Sequence, residues 1–489
     1  MNKTTIKSQM KNNKWTKLIW FVMLFGFSIQ AQTKKWTLEE CVIYALENNI
    51  TIKNTALDGE LADIEKKGAI GNFLPTINAN SSHSWNIGLN QNITTGLLEN
   101  QTIQYTAAGV QVGVTIYNGL QSQKRLRRAN LSKVASQYQL TKMQEDISLN
   151  VANAFLQILF NKENLKVQKE RLANDVKQME RSSQLLEAGI IPRVDLLDMK
   201  ATVASDEQLV IAAENSLLIS RLSLAQLLQL DDFVNFDIVD EEYEAPSNEM
   251  LLKSPIDIYE KAKQERVELK IAKANLEIAE KDLAITKGSF QPNLRGFYSF
   301  DTRAADSDRF VGVQLDPNVP TTPIGVVQET NQVVVQPNFN TVTDGALPIF
   351  EQFDLNKGQS VGVQLSIPIL NGFATRTSVE RSKVAVERSK IAYEQEELTL
   401  QRNVYTAFTD TKGALNAYEA ALITLEARQE AHLYASERFD VGLMNAFDYN
   451  QSLSLFVNAQ SDVLRTKYDY IFKTKILEFY FGIPIIQKP

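Results

Sequence analysis

The feature that most constrains this chain is a pair of long segments, one from Gly119 to Gly189 and one from Gly372 to Gly442. Each pair of glycines lies 70 positions apart, and neither segment contains proline. Gly413 is the single internal glycine, and the residues that dominate (Ala, Leu, Glu, Lys, Arg and Gln) favour helix. A helix of this length spans about 105 Å at roughly 1.5 Å per residue. Because such runs are typical of coiled coils or helical repeats, the segments predict two very long helices.

The stretches around these segments are duplicated as well. Pro75 follows Ala45 by 30 positions, and Pro292 follows Ala262 by the same 30. Two matched spacings indicate an internal repeat, in which each half runs helix, strand, loop, strand, long helix and shorter returning helix. Apolar residues spaced three and four apart in the helices predict a packed seam between them.

This duplication predicts the domain boundaries. We expect a first repeat at 32–230 with a β-hairpin at about 75–117, and a second repeat at 256–489 with a β-hairpin at about 292–370. The acidic segment 231–255 joins them. Its "FVNFDIV" stretch favours a small strand-containing patch over a plain linker.

The N-terminus has the composition of a secretory signal. Residues 1–31 contain five lysines and no acids, followed by an apolar run from Leu18 to Ile29 and a small residue at position 31. The apolar run is too short for a spanning helix, so we expect the mature chain to start near Gln32. Without this segment the net charge changes to −7 − 5 = −12.

Charge and composition disfavour several functions. A chain this acidic is a poor candidate for binding nucleic acid. Cys41 is the only cysteine and is expected to be a buried apolar residue. His83 and His432 are the only histidines and lie far apart in the sequence. With no Gly-rich phosphate loop either, we expect no enzyme, cofactor or metal centre.

Two stretches alternate between apolar and polar residues, as strands do. In the first half the apolar positions are Val110, Val112, Val114 and Ile116. In the second half they are Val361, Val363, Leu365, Ile367 and Ile369. Such strands fit a soluble sandwich, and they fit equally a membrane sheet with lipid on one side and water on the other.

The order of helices and strands allows the membrane alternative only if several chains associate. Both ends of each strand pair lead to helices, so the polar loops predicted at 89–108 and 301–359 lie at the opposite end. Four strands are too few to close a barrel, since about eight are needed. An open sheet edge is excluded from lipid. If these are membrane strands, several chains must share one barrel.

Taken together, the pairing of "LP…GVTIYNG…AGIIPRVDLLD" with "QP…QLSIPILNG…VGLMNAFDYNQS" resembles the TolC-like outer-membrane efflux proteins. The resemblance covers essentially the whole mature chain. It implies a mainly α fold with a small membrane β-barrel portion. Long antiparallel helical hairpins would form a trimeric α-barrel in the periplasm, and four strands per chain would contribute to a shared twelve-stranded barrel in outer-membrane lipid. The implied partners are a periplasmic adaptor protein and an inner-membrane transporter.

The same resemblance suggests a periplasmic gate. Asp195 and Asp198 follow Gly189 by six and nine positions, and Asp448 and Gln451 follow Gly442 by the same numbers. In a trimer each aspartate would become a ring of carboxylates, which attracts cations. The alternative is that acids in the first turns of a helix simply favour its dipole.

Near the same turns, Gly189, Val441, Gly442 and Leu443 are the predicted adaptor contacts. Helix-turn chemistry alone accounts for the glycines but not for the apolar Leu443. Some family members close this end with Tyr and Arg links to an aspartate. The aligned positions here are Phe439 and Met444, which cannot make those links.

A passive export conduit is therefore the leading functional hypothesis. The alternative is a structural coiled-coil envelope protein anchored by its strands, which would transport nothing. Strands with polar inner faces favour the channel.

Overall fold

Helices account for most of the described chain. The computed structural model describes residues 35–91, 96–231, 233, 235–240 and 243–484. The predicted signal peptide 1–31 and the expected start near Gln32 lie outside these residues.

The two long segments form single helices, as predicted. The helices are α1 (Leu38–Asn48), α2 (Ile50–Gly71), α3 (Gln121–Glu187), α4 (Arg193–Leu228), α5 (Pro255–Glu265), α6 (Val267–Gly288), α7 (Ile349–Leu355), α8 (Ala374–Asp440) and α9 (Ala446–Tyr480), with a 3-10 helix at Asn248–Leu252. Both α3 and α8 are 67 residues long. None of the helices in the described part of the chain has both the length and the hydropathy that crossing a bilayer requires.

Local side-chain bonds set where the first helices begin. Thr37 caps α1, because its hydroxyl accepts from the Glu40 N–H (3.2 Å) while the Glu40 carboxylate accepts from the Thr37 N–H (3.1 Å). A break at Asn49 separates α1 from α2. There the buried Asn49 accepts from the Thr51 N–H (2.9 Å) and donates to the Leu227 carbonyl (3.0 Å).

The strands form one large sheet and three small ones. They are β1 (Lys35–Trp36), β2 (Thr76–Gln91), β3 (Leu98–Asn118), β4 (Asp237–Ile238), β5 (Asn293–Ala305), β6 (Arg309–Leu315), β7 (Thr321–Val326), β8 (Val333–Pro337), β9 (Phe339–Asp344) and β10 (Gly358–Ser366). The large sheet is antiparallel with the order β10–β5–β3–β2. The small sheets pair β1 with β4, β6 with β9 and β7 with β8.

The prediction of polar loops at 89–108 and 301–359 was largely wrong. β2 and β3 stay paired up to Gln91 and Leu98, so most of 89–108 is strand. The segment 301–359 contains four strands and α7 in addition to the end of β5. Asn, Thr and Gln are typical of loops, but they also suit a strand wherever one sheet face is polar.

The end of the second hairpin also differs from its prediction at about 292–370. β10 stops at Ser366, so Ile367 and Ile369 lie outside it although their spacing continues the alternation. Pro368 lacks an N–H and cannot continue a ladder.

The chain divides into two compact units, which we call the first and second units. The first comprises the described residues of Met1–Ala56, Gln139–Val267 and Glu397–Pro489. The second comprises those of Leu57–Tyr138 and Glu268–Glu396.

A buried apolar core lies within the first unit. Its members include Cys41, Val151, Phe155, Ile158, Leu224, Leu228 and Ile238. Burial of Cys41 was predicted, as was a strand in the joining segment, which is β4. Lys162 holds this segment through ion pairs to Asp237 (2.8 Å) and Asp240 (2.6 Å).

Candidate functional site

The large sheet of the second unit has one apolar face. Residues directly opposite each other on neighbouring strands share a face, so the register assigns each side chain. The apolar face carries Ile77, Ala79, Val110, Val112, Val114, Leu294, Tyr298, Phe300, Val361, Val363 and Leu365. On the outer strands these side chains are uncovered within the chain, with Ile77 68% and Val363 69% exposed.

The opposite face of the same sheet is mainly polar. It carries Thr76, Asn78, Asn80, Gln111, Thr115, Arg295, Ser299, Asp301, Ser360 and Gln364. Phe297 lies on this face opposite Gly362, where an added Cβ would approach the ring to 2.9 Å. Several of these residues line a groove of about 390 Å³. The sheet can therefore separate an apolar medium from water.

Both outer edges of this sheet are open. β10 pairs only with β5 and β2 pairs only with β3 among the described strands. Open edges with apolar side chains are templates for pairing with another chain.

Two glycine turns in the first unit have matching geometry. Gly189 (φ 75) follows α3 and Gly442 (φ 76) follows α8, both in the left-handed region. Behind them, the Ile190 N–H donates to the Leu185 carbonyl (2.9 Å), and the Leu443 N–H donates to the Arg438 carbonyl (2.8 Å). These bonds satisfy the last carbonyls of each helix. We call the two segments, 188–192 and 441–445, the paired turns.

The predicted gate residues follow the paired turns. Asp195 lies in the first turn of α4 and Asp448 in the first turn of α9. The Asp448 N–H donates to the Asn445 side chain (2.8 Å), whose amide donates back to the Asp448 carboxylate (3.0 Å). Asp198 and Gln451 are exposed one turn further along. Within the described chain, α4 and α9 contact each other next to these residues, because the Asn450 side-chain amide donates to the Met199 sulfur (3.0 Å). The assignment of the four residues to a gate stays a prediction.

The predicted adaptor contacts are exposed within the chain. Val441 and Leu443 are 69% and 70% exposed. Gly189 and Gly442 are exposed too. Ile190 and Phe447 add further uncovered apolar surface that the sequence analysis did not include.

An apolar and aromatic cluster lies beside the paired turns. The Phe439 ring stacks on Tyr449 with 4.7 Å between centroids, and Met444 packs against the same group. His432 stacks on Phe456 at 5.4 Å, and burial lowers the pKa of its imidazole. Phe439 and Met444 thus contribute apolar packing beside the turn at Gly442.

Arg181 and Arg171 connect the two helical hairpins. The Arg181 guanidinium pairs with the Asp440 carboxylate and donates to the Asp440 carbonyl (3.1 Å). Further from the turns, the Arg171 guanidinium donates to the Ser454 hydroxyl (3.2 Å). α3 is thereby joined to both α8 and α9.

Two buried carboxylates accompany Arg171. Its Nε lies 3.0 Å from Asp206 Oδ1 and 3.8 Å from Asp175 Oδ2, and both aspartates are 1% exposed. Burial, with the neighbouring Asp206 carboxylate, raises the pKa of Asp175 to about 8. One guanidinium cannot neutralise two buried carboxylates, so Asp175 holds a proton at neutral pH.

Sequence reasoning missed this charge cluster, although a signal was available. The buried positions of α4 include Leu196, Met199, Val203, Asp206 and Val210, spaced alternately by three and four. An aspartate at such a core position indicates a buried charge that needs a partner.

Comparison with known proteins decides the family. The model of the outer membrane efflux protein family matches residues 43–229 and 258–478. The chain belongs to this family. It is accordingly an outer-membrane efflux channel protein, and the predicted resemblance is confirmed.

The chain is also similar to individual proteins in sequence or in fold. The chain is 23% identical over 358 residues to the outer membrane protein TolC of Vibrio cholerae serotype O1. The aligned region covers 72% of this chain and 69% of TolC. The outer membrane protein VceC of Vibrio cholerae superimposes with a TM-score of 0.72 at 12% identity, over 92% of this chain and 97% of VceC. The CmeC outer membrane channel of Campylobacter jejuni gives 0.70 at 15% identity, over 100% and 95% of the two chains. The shared fold confirms the predicted combination of long helical hairpins with a smaller strand portion.

Proposed function

We propose that this efflux protein is the passive exit duct of a tripartite efflux or type I secretion system and works as a homotrimer. The two-faced sheet with open edges carries the proposal. The apolar face suits lipid and the polar face suits a water-filled lumen. Three copies would bring four strands each to one twelve-stranded barrel, which leaves no edge unpaired.

The helices support association of copies as well. On α8, Val384, Ile391, Leu398 and Tyr405 recur every seven residues and are exposed within the chain. On α4, Leu197, Ile211 and Leu218 follow the same heptad. Apolar residues at a heptad spacing form seams between helices, so these uncovered stripes fit against a neighbouring copy.

Mass and conductance of the purified protein test this proposal together. We expect a trimer in detergent and discrete single-channel currents in planar bilayers. A monomer, or a trimer without currents, would favour the alternative of a structural coiled-coil envelope protein anchored in the outer membrane.

The gate assignment of Asp195, Asp198, Asp448 and Gln451 is part of the proposal. In a trimer the paired turns of three copies would surround one axis, and the carboxylates would bind cations there. We expect Asp448→Ala to enlarge the conductance or weaken block by divalent cations. Asp462→Ala, on the same helix, removes a carboxylate already paired with Arg465 and serves as the control. Equal single-channel behaviour of the two variants would exclude Asp448 from the gate.

The paired turns are also the proposed contact for a periplasmic adaptor that leads to an inner-membrane transporter. Exposed apolar side chains on a polar surface mark interaction sites, and Val441 and Leu443 fit this description beside Gly189 and Gly442. Leu443→Asp should keep the bilayer conductance but lose export from cells, whereas Leu443→Met should retain both. Normal export by Leu443→Asp would remove this contact.

A further inference from the structure

The segment 309–344, which we call the outer ribbon, is one continuous two-stranded hairpin. β6 pairs with β9 and β7 pairs with β8. Between the two ladders, the Asp316 N–H donates to the Asn338 carbonyl (2.8 Å), and the Asn338 N–H donates to the Pro320 carbonyl (3.0 Å). Asn338 therefore continues the ladder, and residues 316–320 form a small turn.

One face of the outer ribbon is mainly apolar, with threonines at three of its positions. Opposite residues on this face are Phe310 with Thr343, Val313 with Thr341, Leu315 with Phe339, Pro323 with Val335, and Val326 with Val333. Bulges at Val311 and Ile324 shift the alternation so that Phe310 and Pro323 join this face. The other face carries Gln314, Gln336 and Asn340 together with two valines.

Nothing in the described chain covers the apolar face. Phe310, Val313 and Phe339 are 58%, 58% and 55% exposed. A two-stranded ribbon alone in water is marginally stable, and an apolar face of this extent marks an interaction surface.

The base of the ribbon is held firmly at the end of the large sheet. The Asp306 N–H donates to the Gln104 carbonyl (2.9 Å), and Arg309 pairs with Asp344 (2.7 Å). From α7, Gln352 bonds both the N–H and the carbonyl of Ala305 at 3.0 Å. These bonds fix where the ribbon leaves the sheet.

Lipid is a poor partner for this surface. Both long edges of the ribbon are unpaired among the described strands, and unpaired backbone groups are excluded from the hydrocarbon region.

A second copy of the chain is a good partner. The only charges on the ribbon strands are Arg309 and Asp344, which pair with each other at the base. Identical charged faces would repel, whereas identical uncharged apolar faces do not. We propose that the outer ribbons of neighbouring copies pack through their apolar faces beyond the sheet. This rests on the proposed trimer, in which every copy brings its ribbon to the same end.

Site-specific photocrosslinking in intact outer membranes tests the proposal. Phe310 or Phe339 is replaced by p-benzoyl-phenylalanine, with Gln314 or Asn340 on the opposite face of the same strands as controls. We expect crosslinks between copies from the two positions on the apolar face and none from the two control positions. Adducts to lipid or to another protein, or equal yields from both faces, would overturn the inference.

A charge variant and a mass measurement complete the test. Val313→Asp should abolish the adducts formed at Phe339, and Gln314→Asp should leave them unchanged. The mass of the same purified samples separates the two proposals. A trimer without apolar-face adducts refutes only the ribbon contact, whereas a monomer refutes the proposed channel.

Discussion

The core of the first unit and the sheet of the second unit treat apolar residues in opposite ways. Val151 and Phe155 of the core are completely buried by their own chain. Val361 and Val363 of the sheet are equally apolar and remain exposed on a face that their own chain leaves bare. The side chains of the core are buried by the chain itself, whereas the apolar face of the sheet can be covered only by something outside the chain. The same type of apolar side chain therefore stabilises the fold in the first unit and provides a surface for an outside partner in the second unit.

The largest loss of stability is expected from a substitution in the core of the first unit. Phe155→Ala should destabilise the helical fold by about 3–5 kcal/mol, because it removes a buried ring and leaves a cavity. Val361→Ala, on the exposed sheet face, is the control, with an expected change of about 0.5 kcal/mol or less, as for other surface substitutions. Denaturant unfolding followed by helical circular dichroism measures both. Similar losses would contradict the contrast between the regions.

A smaller effect is expected when the apolar face of the sheet receives a charge. Val363→Arg should weaken folding into bilayers by about 2–4 kcal/mol if it lies near the bilayer midplane. Gln364→Arg places the same residue on the polar face of the same strand and should have little effect. Urea titration of the protein refolded into lipid vesicles provides the comparison. A larger loss from Gln364→Arg would reverse the assignment of the two faces.

Gly413 inside α8 and Gly442 in the turn that follows α8 provide a finer comparison. Gly442→Ala should cost about 1–2 kcal/mol, because its left-handed backbone disfavours a Cβ. Gly413→Ala lies in the helix interior with open space around it and should stabilise by about 0.5–1 kcal/mol. Thermal unfolding of the two variants measures whether the stability falls in Gly442→Ala and rises in Gly413→Ala. A change of the same sign in both variants would be inconsistent with the turn geometry.

The last comparison concerns the buried aspartates. The pKa of Asp175 is raised from 3.8 to about 8, so the folded state binds this proton more tightly than the unfolded state. Its contribution to stability is therefore complete below pH 3.8 and is lost as pH rises towards 8. The groups around it are Arg171, Asp206 and Tyr449.

Unfolding of Asp175→Asn at several pH values isolates this contribution. The variant should lose the part of the pH dependence between 3.8 and 8 that the wild-type protein shows. Asp462→Asn, an exposed acid on α9, should keep it. An unchanged profile for Asp175→Asn would show that the aspartate does not hold a proton in the folded state.

Periodicity made the helices predictable, while side-chain chemistry misled the loop assignment. The helix ends at Gly189 and Gly442 follow from local rules, because a left-handed cap needs glycine. The strands within 98–108 and 309–344 were missed since Asn, Thr and Gln suit both a loop and a wet strand. The positions of Asp195, Asp198, Asp448 and Gln451 follow from their spacing to the turns, whereas their role in a gate depends on neighbouring copies and stays a prediction.

The sequence alone determined the long helices, their turns and the alternation of the strands, because each of these depends on residues close together in the chain. It also determined that four strands are too few for a closed barrel. Only the tertiary structure decided which strands are neighbours, that the ribbon keeps one apolar face through two bulges, and that Asp175 and Asp206 share Arg171. These features depend on residues far apart in sequence, and their register is set by pairing and burial that no local pattern encodes.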